Sequence, residues 1–78
     1  MSSELNLRRL RLGEEGRILR LDPPGNLSIR LHELGFAPGN RAEALFHAFG
    51  GGFTAYLVGS SIIALRAADA EKIIIERI

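Results

Sequence analysis

The side chains here that could carry out chemistry are few: two histidines, a scatter of serines, nine acidic groups and no cysteine. A divalent ion needs three or four donors converging on one point. Only His32, Glu33 and His47 come near to supplying them, as a weak candidate metal site divided between a short helix and a strand. No pair of histidines sits at i, i+4, so solvent-facing histidines are the plainer reading and no resident metal is expected. Nucleophilic catalysis would need a serine beside an oriented base, and none of Ser28, Ser60 and Ser61 stands in a Gly-x-Ser-x-Gly elbow. Gly50-Gly51-Gly52 lacks the Lys-Ser or Lys-Thr of a phosphate cradle, and a strand rather than a helix N-terminus follows it. Glu14 and Glu15 are chain neighbours and are expected to diverge, unlike the paired carboxylates of a glycosidase. The residues point away from an enzyme and call for no cofactor.

Binding is the remaining class of function. Arg8, Arg9 and Arg11 cluster, and with Phe49, Phe53 and Tyr56 they outline an alternative reading as a small nucleic-acid-binding module, cations beside rings on which bases stack. Ten basic residues against nine acidic ones oppose it, since a general nucleic-acid binder carries a basic surface, and no nucleic acid is expected as partner. Tyr56 is read as a cross-strand packing residue with its hydroxyl in water. No apolar run approaches the roughly 20 residues that span a bilayer, and the start, Met-Ser-Ser-Glu, is not a signal peptide, so the chain is not expected to span a membrane and a cytoplasmic location is anticipated.

These residues must be positioned by a fold that 78 residues can build, which means one core. Residues 1–6 lack pattern and are expected to fray; residues 7–78 form the domain. Leu7 and Leu10 suit a helical turn or an irregular lead-in, and Gly13-Glu14-Glu15-Gly16 a turn. Residues 17–21 read as a strand without clean alternation, which a bulge or a second covered face would explain. After the loop Asp22-Pro23-Pro24-Gly25, Asn26 is a reasonable N-cap for a helix whose stripe is Leu27, Leu31 and Leu34.

Gly35 and Phe36 spell a Schellman ending on Leu31, and Pro38-Gly39 the centre of a type II turn. Ala42, Ala44 and Phe46 alternate as the inward face of the next strand. The three glycines turn a hairpin into a strand over residues 53–58, Gly59-Ser60 turns again into residues 61–65, residues 67–72 favour helix, and residues 73–78, rich in β-branched isoleucine, can return to pair with an earlier strand. The expectation is a mainly β chain, an SH3-like small barrel of about five strands with one or two short helices.

The motif Arg-Leu-x-Glu-Leu-Gly-Phe-x-Pro-Gly over residues 30–39, followed by Ile-Ala-Leu-Arg at residues 63–66, Asp69-Ala70 and Ile73-x-Ile75, resembles the FeoA family of ferrous iron transport proteins. Leu7, Leu10, Gly13, Gly16 and Ile18 match the family's lead-in. The resemblance implies an SH3-like barrel and an accessory role on the cytosolic side of the FeoB-type membrane GTPase transporter. It also extends to the C-terminal domain of DtxR-type repressors, an alternative as a metal-binding regulatory domain. The chain departs from the family pattern in Ala42 and Ala44, where large aliphatics are usual, leaving an interior that is slacker or filled by Phe46. It departs again in its triple-glycine hairpin, and in residues 59–66, where one extra residue suggests a bulge.

The partner-binding surface expected from this reading is the helix end and its turn, with Leu31 and Phe36 as apolar anchors and Arg30 and Glu33 at the rim, although core packing alone is the plainer reading for Leu31 and Phe36. Gly35, Pro38 and Gly39 set the motif's shape. Arg66 and Ile75 are second candidates, on segments expected to be sheet edges where a partner strand could add.

Overall fold

The computed structural model describes residues 4–22 and 25–78. Six strands form one antiparallel sheet: β1 (Glu4–Asn6), β2 (Glu15–Leu21), β3 (Arg41–Ala48), β4 (Phe53–Val58), β5 (Ser61–Arg66) and β6 (Ile73–Arg77). Helix α1 (Asn26–Glu33) joins β2 to β3, and the single turn α2 (Ala67–Ala70) joins β5 to β6. The spatial order is β1-β6-β2-β3-β4-β5, so the C-terminal strand lies inside the sheet.

β1 is one strand more than anticipated, and it corrects the reading of residues 4–6 as a frayed end. Glu4 pairs with Glu76, Leu5 with Ile75 and Asn6 with Ile74. Three residues are too few to show a period, but Leu5 packs against the core and Glu4 meets Arg20 at 2.7 Å. Residues 1–3 of that predicted end, and Pro23 and Pro24 of the predicted loop, lie outside the described residues.

One core draws on every layer: Ile18 of β2, Leu31 of α1, Tyr56 and Val58 of β4, Leu65 of β5, Ala70 of α2, Ile73 and Ile75 of β6, and Leu7 and Leu10 of the lead-in. A sheet whose strands all give side chains to the same cluster is rolled around it, which is how a short chain buries apolar surface from few residues. The lead-in contains a 3-10 turn, Leu7–Arg9, and Arg8 donates to Glu71 just beyond α2 at 2.9 Å, tying the two segments together.

Two bulges shape the sheet. The β2–β6 register slips between Ile18 and Arg20, the physical cause of the missing alternation in residues 17–21. In β3, Ala44 pairs with Tyr56 but Phe46 pairs with Ala55, leaving Leu45 extra. A slip of one residue sends the rest of the strand's side chains to the opposite face. Ala42 and Ala44 are therefore fully buried while Phe46 is 51% exposed, which corrects the expectation that Phe46 points inward. The bulge anticipated in residues 59–66 is not there: β4 and β5 stay in register from Phe53↔Arg66 to Val58↔Ser61.

The room left by the small Ala42 and Ala44 is filled by rings instead. Tyr56 lies opposite Ala44, and Phe36 meets it edge-on with centroids 6.4 Å apart and planes at 87°. Phe36→Ala is expected to cost about 3–5 kcal/mol in urea denaturation, whereas Phe46→Ala should cost less than about 1 kcal/mol. Comparable losses would mean that β3 is not bulged.

At the turn before β2, the Glu14 carboxylate accepts from the Arg11 backbone N–H at 2.8 Å and from Arg77 Nε at 3.2 Å. The backbone N–H, with the Arg11 and Arg77 charges, holds this carboxyl below its ordinary value of 4.5. A carboxylate with a lowered folded pKa stabilises above the unfolded value, and that contribution is lost as pH falls through the folded one. Glu14→Gln should therefore flatten the acid limb of stability, read as urea midpoints between about pH 6 and about pH 3.

Candidate docking surface

Helix α1 is only two turns long, and its ending is built by local sequence. Gly35 N–H donates to His32 O and Phe36 N–H to Leu31 O, both at 3.0 Å, the paired bonds of a Schellman motif. Gly35 takes φ +112°, and a Cβ there would sit 3.0 Å from Val58 Cγ1. The chain then makes a type II turn: Gly39 has φ +92°, and Asn40 N–H donates to Ala37 O at 3.0 Å. Gly39 N–H also donates to Ile18 O, and Asn40 O accepts from Ile18 N–H, both at 2.8 Å, which pins the turn to β2. Asn40 Nδ2 reaches back to Gly35 O at 2.9 Å. At the other end, the residue preceding α1 is Gly25 and no side chain caps the helix, so Asn26 is its first residue rather than its N-cap.

This arrangement opens a groove of about 400 Å³ along α1, lined by Ser28, Ile29, His32 and Glu33, with Arg20 and Leu21 of β2 and Pro38 of the turn on its other side. Ile29 is 59% exposed on its rim, and Leu34, at the end of the helix, is 48% exposed. The groove joins apolar side chains to a carboxylate, an imidazole and a guanidinium, a composition suited to binding.

Of the anticipated anchors, Leu31 and Phe36 are core residues, 2% and 0% exposed. Their place as surface anchors is corrected, because the Schellman ending turns both into the core, Phe36 against Tyr56 of β4. Arg30 and Glu33 are exposed on α1 as expected. Ile75 is fully buried, and its strand is flanked by β1 and β2, so it offers neither side chain nor edge. Arg66 does lie on an edge strand, β5, with its guanidinium 5.6 Å from the Phe53 ring centroid. Tyr56 is 1% exposed, so it cannot stack on a base; burial raises its phenol pKa against the opposing effects of a Thr54 hydrogen bond and the Arg8 charge.

His47 Nδ1 lies 3.0 Å from Thr54 Oγ1 on the adjoining strand. Among the described residues, no three His, Cys, Asp or Glu side chains are placed to hold a metal, so His32, Glu33 and His47 do not form a site together. Ile29 and Leu34 are the surface residues that sequence reasoning missed. Ile29 stood in view as an apolar residue two positions from both Leu27 and Leu31, on the helix face that the stripe leaves to solvent.

The FeoA domain model matches residues 5–77. The chain belongs to the FeoA family. The FeoA motif of residues 30–39 is thus the helix end and turn just described. Among solved structures, the iron(II) transport protein A of Clostridium thermocellum is 34% identical with TM-score 0.88, over 95% of this chain and 46% of that one. The Stenotrophomonas maltophilia FeoA, a prokaryotic SH3-domain protein in complex with zinc, is 27% identical with TM-score 0.78, over 91% and 88%. A manganese-dependent transcriptional repressor shares the fold at TM-score 0.85 and 18% identity, over all of this chain and 44% of its own. No curated protein sequence matches significantly. The fold is mainly β and SH3-like, as the FeoA resemblance implied, and among the described residues no helix is long and apolar enough to cross a membrane.

Within the FeoA motif, Gly35 is the position where a side chain meets both a left-handed backbone and Val58. Gly35→Ala is expected to destabilise by about 1–3 kcal/mol in chemical denaturation, and Gly25→Ala, with nothing within 4 Å of its Cβ, by less.

Proposed function

We propose that this FeoA-family chain is a small non-catalytic accessory protein of ferrous iron uptake. It acts in the cytoplasm by docking on the cytosolic GTPase region of a FeoB-type transporter, and modulates the transporter's assembly or activity. The observation that carries the reading is the coincidence of the FeoA motif with an open groove beside α1, where an exposed isoleucine stands among ionisable groups. Related proteins support it: the Clostridium thermocellum relative is an iron(II) transport protein, and the Stenotrophomonas FeoA is described as a candidate ferrous iron transport activating factor.

In this reading Ile29 and Leu34 are the apolar anchors in place of Leu31 and Phe36, with Arg30 and Glu33 at the rim. Ile29 reaches the partner because α1 spends Leu31 on the core and leaves its other face to solvent. A central apolar side chain at such an interface commonly costs more than tenfold in affinity when replaced by a charge. Ile29→Glu is expected to weaken binding to the purified cytosolic region of the transporter at least tenfold, measured by calorimetry, with the circular dichroism spectrum and urea midpoint kept. Leu31→Glu should lose binding by unfolding. Full affinity of a folded Ile29→Glu protein would remove the groove from the reading.

A further inference from the structure

A second apolar surface lies on the far side of the sheet from α1. The β3 bulge turns Phe46 outward, and the unbroken β4–β5 register aligns three rows across the outer face: Glu43, Leu57 and Ile62; Phe46, Ala55 and Ala64; Ala48, Phe53 and Arg66. Phe46 and Ile62 are 51% and 63% exposed. Phe49, 82% exposed with φ +53°, continues the surface by packing edge-on against Phe53 at 5.2 Å. Ala55 is buried yet stands apart from the core cluster, so this face already assembles apolar side chains of its own. Polar outer faces are the rule for small antiparallel sheets, and contiguous exposed apolar patches mark interaction sites.

The charges on the face say what fits it. Glu43 and Arg66 occupy opposite corners, one on β3 and the other on edge strand β5. The ion pairs found among the described residues engage Arg8, Arg17, Arg20, Arg41 and Arg77, and include neither Glu43 nor Arg66. Stacking on Phe53 holds Arg66 over the face. A twofold axis lying in the face, diagonal to the strands, carries each Glu43 corner onto the Arg66 corner of a second copy and lays the apolar rows across one another. Crossing strands at near right angles is one of the two ordinary ways sheets pack.

We infer that the outer face of β3–β4–β5 is self-complementary and pairs two copies of this chain, with Phe46, Ile62 and Phe49 as its exposed apolar contacts and a Glu43–Arg66 pair at each of two opposite corners. Three short strands give a small interface, so the dimer is weak and forms in the micromolar range or above.

Sedimentation velocity of the full chain from about 5 to about 500 µM tests this inference. The weight-average mass should rise towards twice the monomer. Glu43→Arg and Arg66→Glu should each weaken association about tenfold, and the double swap should restore it, which a merely structural loss could not do. Phe46→Ser, exposed in the monomer, should abolish association while the chain stays folded. A monomer at every concentration, single swaps without effect, or a double swap no tighter than either single one would overturn the inference.

Discussion

The edge-on contact of Phe36 with Tyr56 over Ala42 and Ala44 is what the rest of this structure depends on. Phe36 is the first residue after a helix-ending glycine and Tyr56 the middle of a central strand, so their contact fastens the α1 segment to the sheet. The alanines give up volume on β3 to make room, and Gly35 lets the helix end approach Val58 to within van der Waals distance of where a side chain would be. In a chain with four phenylalanines, one tyrosine and no tryptophan, one such ring pair is a considerable share of the interior.

The surfaces available for binding are set by what that contact consumes. Once Leu31 and Phe36 are turned inward, α1 offers its exposed residues, among them Ile29, Arg30, His32 and Glu33, and the turn pinned to β2 becomes the opposite wall of the groove. The β3 bulge acts on the other side of the sheet. By absorbing Leu45 it keeps the alanines under the rings and expels Phe46, so the same irregularity closes the core and creates the outer apolar face.

Much of the fold was legible because local chemistry wrote it. The Schellman ending and the type II turn each rest on a glycine or proline whose dihedral preference is independent of context, and both occur where those residues stand. The strands of residues 53–58 and 61–65 were legible as β-rich runs between turn signals. β1 was not, since three residues cannot display a period and their pairing depends on β6 lying alongside. The site was less legible than the fold. Leu31 and Phe36 were rightly paired with each other, but whether they serve as core or as exposed anchors only burial decides, because the stripe on a two-turn helix does not say how deep it lies.

The sequence by itself determined the family, the SH3-like class and the local geometry of residues 30–39, since these depend on residue identity and near neighbours. Only the tertiary structure decided the bulge at Leu45, the place of β6 between β1 and β2, and which apolar residues meet water. Those outcomes depend on cross-strand register and on the volume facing each side chain, and both are set by residues distant along the chain.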